Sequence, residues 1–161
     1  MAIKEGDKLP SATLRVQGED GSPKQISTDE FFAGRKVVLF GVPGAFTRTC
    51  SAKHLPGFVQ NARAIKAKGV DEIACISVND AAVMSAWGMA HGATDKVVML
   101  ADGNADFTTA VGLDVDRRSN GMGTRSRRYA MLVEDGVVKK LAIEPEGSYG
   151  ASSAETMLEQ L

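Results

Sequence analysis

The most informative stretch of this chain reads Val37-Val38-Leu39-Phe40-Gly41-Val42 and then Pro43-Gly44-Ala45-Phe46-Thr47-Arg48-Thr49-Cys50. The first part is apolar and rich in valine, which is typical of a buried strand. Pro43 and Gly44 end that strand in a turn, because proline lacks the N–H group that a sheet requires. The stretch therefore predicts a buried strand that leads through a turn to a cysteine.

The start of a helix is a favourable place for a reactive thiol. If Thr47 or Thr49 caps a helix here, Cys50 lies in its first turn, where free backbone N–H groups face the sulfur. The positive end of the helix dipole then stabilises a thiolate, which is the nucleophilic form of cysteine. We expect Cys50 to be a nucleophile, and we expect Pro56-Gly57 to kink or break the helix that follows.

Length and composition indicate a single domain over residues 1–161. The chain is 43% hydrophobic and 24% charged, with a net charge of -1, so nothing attracts it generally to nucleic acids or membranes. Cys50 and Cys75 are its only cysteines, which suits a reducing compartment. The N-terminal residues lack the apolar stretch of a signal peptide, and no apolar run approaches membrane-spanning length. We therefore expect a soluble cytoplasmic protein.

Short apolar runs alternate with stretches of helical periodicity, as in open α/β sheets. Strands are predicted at 13–16, 37–42, 73–78, 97–100, 128–133 and 137–143. Predicted helices begin at Cys50, after Asn79-Asp80, at Asn104 and at the capping box Ser152-Ser153-Ala154-Glu155, with Val83, Trp87 and Ala90 on the inner face of the second. A loop rich in glycine and arginine is predicted at 116–124.

This order of elements resembles the thioredoxin-like fold, an α/β fold with a central mixed β-sheet flanked by helices on both faces. Such sheets place their chemistry where a strand ends and a helix begins. A thioredoxin itself would carry Cys-x-x-Cys at this point, whereas Thr47-Arg48-Thr49-Cys50 has only the second sulfur.

The motif Pro43-x-x-x-Thr47-x-x-Cys50 resembles the peroxidatic motif of the peroxiredoxins, and its surroundings resemble their type II branch. Arg48 departs from the family, which usually has a second proline there, and we expect it to alter rim charge more than chemistry. The resemblance covers nearly the whole chain, with further matches at Lys53-His54-Leu55-Pro56-Gly57-Phe58, Ile76-Ser77-Val78-Asn79-Asp80, Ala86-Trp87, Leu100-Ala101-Asp102-Gly103 and Gly123-Thr124-Arg125-Ser126-Arg127-Arg128-Tyr129.

The resemblance implies a thiol peroxidase without a metal or cofactor. Cys50 would attack a hydroperoxide and become a sulfenic acid, releasing water or an alcohol. Thr47 would orient sulfur and peroxide, Pro43 would shield the pocket, and Arg128 would stabilise the thiolate and polarise the peroxide.

Without the resemblance, 125–128 is better interpreted as a solvated basic cluster. If Arg128 points at the site from a strand, Arg127 points away.

Two roles remain open for Cys75, whose neighbours predict a buried strand. It is either an inert packed thiol or a resolving cysteine that attacks the Cys50 sulfenic acid, since some type II relatives carry a cysteine here. The inert role is favoured, because a core-facing strand thiol cannot meet Cys50 without local unfolding. The family's other resolving position has no cysteine in this chain, within 147–153. We therefore expect an external reductant, with glutathione and glutaredoxin preferred to thioredoxin.

His54 suggests other chemistry, because it lies four residues after Cys50 on the same helical face. Nucleophile and base would suit a cysteine hydrolase, and sulfur and imidazole would suit a metal. Neither set is complete, since His91 is the only other histidine. We expect His54 to be structural or to modulate a pKa mildly.

A non-catalytic redox sensor that uses Cys50 as a switch is the alternative function. The joint presence of Pro43, Thr47 and Arg128 favours the peroxidase, because a sensor does not need all three. The resemblance also implies a homodimer, with the region of Phe46 and Trp87 forming pocket walls and a dimer contact.

Overall fold

The computed structural model describes residues 2–146 and 148–161. Its strands are β1 Thr13–Gln17, β2 Pro23–Ser27, β3 Lys36–Gly41, β4 Glu72–Ser77, β5 Val98–Ala101, β6 Asp114–Asp116, β7 Thr124–Ser126, β8 Tyr129–Glu134 and β9 Val137–Ile143. Its α-helices are α1 Thr28–Phe32, α2 Leu55–Lys66, α3 Ala81–Ala90, α4 Asp106–Ala110 and α5 Ala154–Gln160. A π-helical turn, Cys50–His54, precedes α2, and a short 3-10 turn, Arg118–Asn120, lies between β6 and β7.

The predicted mixed sheet with helices on both faces is confirmed. Seven strands lie in the order β2-β1-β5-β4-β3-β8-β9, with β3, β4 and β5 parallel and β8 antiparallel to β3. One face packs against α2, α3 and α5, and the other packs against α1 and α4. Successive residues of β3 alternate between these two cores, as the pleat of a strand requires.

The register of β3 against β8 brings the segment that follows β3 close to the segment that precedes β8. Gly41 at the end of β3 lies opposite Tyr129 at the start of β8. A Cβ atom on Gly41 would overlap the Tyr129 ring, so the close approach of these strands requires glycine. The turn that follows Gly41 therefore lies beside Arg128, the residue before Tyr129.

Pro56 does not break the helix that follows Cys50. The Leu55 N–H bonds to the Cys50 carbonyl, five residues back, and α2 then continues regularly to Lys66. Pro56 falls in the first turn of α2, where a missing N–H costs least. The irregularity that the sequence predicted at Pro56-Gly57 lies one turn earlier, as the π-helical turn.

The inner face of α3 differs from the predicted one. Trp87 is buried, but Val83 is only partly buried and Ala90 is exposed, whereas Met84 and Gly88 face the core. The helix begins at the Asp80 cap, whose side chain accepts from Val83 N at 2.8 Å. The starting residue of α3 sets which side chains face the core, and the predicted inner face was displaced from the observed one by about one residue.

The predicted loop at 116–124 is confirmed as the connection between β6 and β7, and it contains the 3-10 turn. The sequence did not indicate that β6 and β7 pair as a two-stranded antiparallel sheet. The predicted cap of the last helix was one residue off. Ser153, not Ser152, caps α5, accepting from Thr156 N at 3.2 Å. Among the described residues, no helix is both long and apolar enough to cross a bilayer.

Candidate active site

Cys50 lies fully buried at the first residue of the π-helical turn, and Arg128 reaches it from the start of β8, at the same end of the β3–β8 pair. Arg128 Nη2 donates to Cys50 Sγ at 3.1 Å. A guanidinium keeps its charge at any physiological pH, and a charged donor at this distance stabilises negative charge on sulfur. The structure thus joins the predicted nucleophile to the predicted cation across 78 residues of sequence.

The helical segment begins directly after Thr47, as predicted, but neither threonine before Cys50 caps it with its side chain. Thr49 makes no side-chain capping bond, and Thr47 Oγ1 donates to the Gly44 carbonyl at 2.6 Å. The first turn is closed instead by the Thr47 carbonyl, which accepts from Ser51 N at 2.9 Å. Because its one proton points to Gly44, the Thr47 hydroxyl can only accept from an arriving ligand.

His54 is fully buried and holds Arg128 in place. Arg128 Nη1 lies 2.8 Å from His54 Nδ1, and His54 Nε2 lies 2.9 Å from the Ser152 carbonyl. Arginine only donates, so Nδ1 is the acceptor and Nε2 carries the proton that it donates to Ser152. Burial and the positive charge of Arg128 lower the pKa of His54 to about 3.

This geometry argues against the two alternative chemistries. Both ring nitrogens of His54 are engaged by Arg128 and Ser152, so the ring has no free position from which to activate Cys50 as a base. No cluster of three or more candidate metal ligands exists within residues 2–146 and 148–161. His54 is therefore a positioning residue that orients the guanidinium.

Glu144 anchors the far end of this hydrogen-bonded chain. It is almost fully buried, and its Oε2 accepts from Ser152 N at 2.7 Å, Ser152 Oγ at 2.7 Å and Gly150 N at 2.8 Å. Because the Ser152 carbonyl in turn accepts from His54, a continuous path runs from Glu144 to Cys50. Sequence reasoning missed Glu144 and missed this role of Ser152, since nothing in their spacing indicates the contact.

A cavity of about 270 Å³ lies beside Arg128, with Pro43 and Thr49 also in its wall, and the buried Cys50 is not among its lining residues. A single water occupies about 30 Å³ in the liquid, so the cavity exceeds what hydrogen peroxide alone requires. Arg127 lines the same cavity, which contradicts the expectation that it points away. Residues 127 and 128 lie between β7 and β8, outside both strands, so the alternation of strand side chains does not apply to them.

Cys75 is a fully buried thiol on β4, where it pairs with Phe40 of β3. Burial and the nearby Cys50 sulfur raise its pKa well above the ordinary value, which disfavours the thiolate that would attack a sulfenic acid. Both cysteines are free. These features agree with the inert role, and the resolving role remains untested.

Trp87 does more than fill the core, because it holds the turn that carries Cys50. Its Nε1 donates to Ser51 Oγ at 2.9 Å, one residue after the nucleophile. Phe46, with a positive φ of 63°, lies nearby with ring centroids 6.5 Å apart. Arg48 is exposed, and nothing in the structure explains why arginine stands there.

A thioredoxin-like sheet that presents one buried cysteine to a guanidinium defines a thiol enzyme. The family model described as Redoxin matches residues 4–158. The chain is 51% identical over 163 residues to peroxiredoxin-2E, chloroplastic, of Arabidopsis thaliana, covering 99% of this chain and 70% of that protein.

Solved structures agree with the sequence relatives. Reduced Prx3 from Vibrio vulnificus, crystallised in complex with hydrogen peroxide, has a TM-score of 0.94 at 51% identity, with 98% of each chain covered. Peroxiredoxin 5 from Alvinella pompejana has a TM-score of 0.85 at 34% identity, covering 98% of this chain and 96% of that one. The chain belongs to the peroxiredoxins of the Redoxin family and is a thiol peroxidase, so the resemblance to the type II branch is confirmed.

Proposed function

We propose that this peroxiredoxin reduces hydrogen peroxide and alkyl hydroperoxides at Cys50 and is recycled by glutathione with glutaredoxin. The observation that carries the proposal is the 3.1 Å contact between Arg128 Nη2 and Cys50 Sγ. This contact places a permanent positive charge beside the nucleophile, and the same Arg128 lines a cavity large enough for a small hydroperoxide.

The reaction begins with attack of the Cys50 thiolate on one oxygen of the hydroperoxide. The S–O bond forms as the O–O bond breaks, and the electron pair of that bond passes to the second oxygen, which takes up a proton and leaves as water or an alcohol. Negative charge moves from sulfur to the leaving oxygen. A guanidinium that can follow it stabilises the transition state more than the bound substrate.

Thr47 and Pro43 complete the site in this proposal. The Thr47 hydroxyl donates to Gly44, so it can accept a hydrogen bond from the peroxide O–H and orient the O–O bond. Pro43 lies in the cavity wall and contributes apolar surface but no N–H donor, which limits competing water. Cys50 is left as a sulfenic acid.

An external thiol completes the cycle, because Cys75 is enclosed in the core. Glutathione attacks the sulfenic sulfur, forming a mixed disulfide with Cys50 and releasing water. Glutaredoxin then takes over the glutathionyl group by thiol–disulfide exchange and frees the Cys50 thiol. The absence of cysteine from 147–153 supports this external route.

The test is steady-state turnover of one peroxide with glutaredoxin and glutathione, compared with thioredoxin and its reductase. We expect faster turnover with glutaredoxin. Faster turnover with thioredoxin would overturn the assignment of the reductant but leave the peroxidase intact. Oxidation of Cys50 without turnover in either system would favour the redox sensor instead.

We also propose that the protein is a homodimer. Phe46 and Met89 are large apolar side chains with 56% and 70% of their surface exposed. Phe46 lies next to Trp87 and close to the turn of Cys50, so a partner there would support the site. Sedimentation should show a dimer that Phe46→Asp converts to a monomer, and an unchanged mass would contradict this.

The cytoplasm is the compartment that we propose, because both cysteines are free thiols, as a reducing environment maintains them. Cell fractionation tests this, and recovery in an oxidising compartment would contradict it.

A further inference from the structure

Two arginines other than Arg128 line the cavity beside Arg128. Arg117 and Arg127 share its wall with Arg128, and the peroxidase chemistry described above uses neither of them. Hydrogen peroxide carries no charge and needs only one guanidinium. The two additional guanidinium groups therefore suit a ligand that carries a negatively charged group.

The guanidinium of Arg117 has hydrogen-bonding capacity to spare. Its Nε is buried without a hydrogen-bond partner among the described residues. Its Nη1 lies 3.6 Å from Glu146 Oε1, but the Glu146 side chain is 78% exposed. An exposed ion pair at this distance contributes little and is readily exchanged for a better acceptor.

Arg127 is similarly available. Its Nη2 makes one long hydrogen bond, 3.4 Å, to the Glu144 carbonyl. The Oε2 atom of Glu144 accepts from Gly150 and Ser152 and not from Arg127. Arg128 is paired with the Cys50 sulfur, whereas Arg117 and Arg127 share the cavity wall with two glutamates and keep donors that neither glutamate uses well.

We propose that Arg117 and Arg127 form a carboxylate-binding subsite in the cavity that Arg128 also lines. The ligand is a small molecule that carries a carboxylate and an oxidisable or reducible group, either an organic hydroperoxide acid or a carboxylate-bearing thiol. Guanidinium groups bind carboxylates with two parallel hydrogen bonds, which fix the ligand's orientation as well as its position. A cavity of about 270 Å³ has room for such a molecule between the subsite and Arg128. This inference rests on the proposed peroxidase function of Cys50.

The test compares matched acids and esters in each half-reaction, measured separately by rapid quench and mass spectrometry. The oxidative arm uses 4-hydroperoxy-4-methylpentanoic acid and its methyl ester, and the reductive arm uses glutathione and its diethyl ester. We expect the acid to react about tenfold faster than its ester in at least one arm, since hydrogen bonds to charged groups are worth about that factor or more. The arm that shows the preference identifies the source of the carboxylate.

Variants link that preference to the subsite. Arg117→Gln and Arg127→Gln should each reduce the acid-to-ester ratio severalfold, whereas Arg117→Lys should retain part of it. Arg118→Gln is the matched control, because Arg118 is the adjacent residue, is 81% exposed and pairs with Asp116 instead. The rate with hydrogen peroxide normalises each variant for correct folding.

The outcomes separate the two proposals. If the unmodified protein does not consume hydrogen peroxide, the proposed function itself fails. If it consumes hydrogen peroxide but treats acid and ester alike in both arms, or if Arg118→Gln lowers the ratio as much as Arg117→Gln, the carboxylate subsite is wrong.

Discussion

Arg128 donates to His54 Nδ1 at 2.8 Å with the same guanidinium that donates to Cys50 Sγ at 3.1 Å. The neutral imidazole thus fixes the orientation of the cation that faces the nucleophile. A protonated imidazole could not accept this bond and would repel Arg128. Burial of His54, which keeps the ring neutral, is therefore part of how the fold prepares Cys50.

Replacing Arg128 with lysine tests the two-way contact. A lysine ammonium keeps the charge but lacks the planar fork that reaches both His54 and Cys50. We expect Arg128→Lys to lower kcat/KM for hydrogen peroxide by about 100-fold, the scale for loss of one preorganised transition-state donor. Arg63→Lys on the exposed side of α2 is the control. Parent-level turnover by Arg128→Lys would show that charge alone suffices.

His54 should make stability depend on pH. Its pKa is about 3 in the folded protein, against an ordinary value of 6.5, because of burial and Arg128. Between these values the unfolded chain binds one more proton than the folded one, so stability decreases as pH falls. This contribution is fully present above about pH 6.5 and is lost progressively toward pH 3.

His54→Gln removes that titration. Between pH 7 and pH 5, the free energy of unfolding measured with urea should fall by about 2 kcal/mol more for the wild type than for the variant. His91→Gln, at the partly exposed second histidine, controls for loss of an imidazole. Parallel pH profiles for the wild type and His54→Gln would mean that the ring titrates normally in the folded protein.

Glu144 should act on catalysis only through its partners. Glu144→Gln replaces an acceptor of three hydrogen bonds, so we expect a loss of about 1–3 kcal/mol in stability and a lower kcat. In a double-mutant cycle on kcat/KM, Glu144→Gln and Arg128→Lys should be less than additive, since both disturb one chain of contacts. Glu159→Gln, exposed on α5, is the control. Full additivity would mean that Glu144 does not act on catalysis through Arg128.

Cys75 should be dispensable for turnover. Cys75→Ala avoids placing a hydroxyl in the apolar core and should retain glutaredoxin-supported activity close to the parent level. Intact mass under non-reducing conditions after one equivalent of peroxide provides a second measurement on the parent protein. Quantitative formation of an intramolecular disulfide would refute the inert role.

Local sequence signals predicted the parts of the fold that depend on neighbours in the chain. The apolar run of β3 and the Asp80 cap of α3 both lie where the sequence indicated. Errors of about one residue arose where two candidates stood side by side. Ser152 and Ser153 both suit a cap, and only the position of Glu144 shows which of them turns inward.

The site was less predictable, because its contacts join distant segments. The resemblance to the peroxiredoxins assigned Arg128, which residue chemistry alone would have left in a solvated cluster. No pattern indicated that Ser152 lies against His54, 98 residues away, or that residues 127 and 128 fall outside the strands.

The most direct measurement of the central claim is peroxide consumption by the reduced protein and by Cys50→Ser, with intact mass recorded in parallel. The wild type should consume hydrogen peroxide catalytically with glutaredoxin, and without reductant it should gain a single oxygen at Cys50. Cys50→Ser should consume none, since serine offers no thiolate. Turnover by Cys50→Ser at the parent rate would contradict the assignment of Cys50 as the nucleophile.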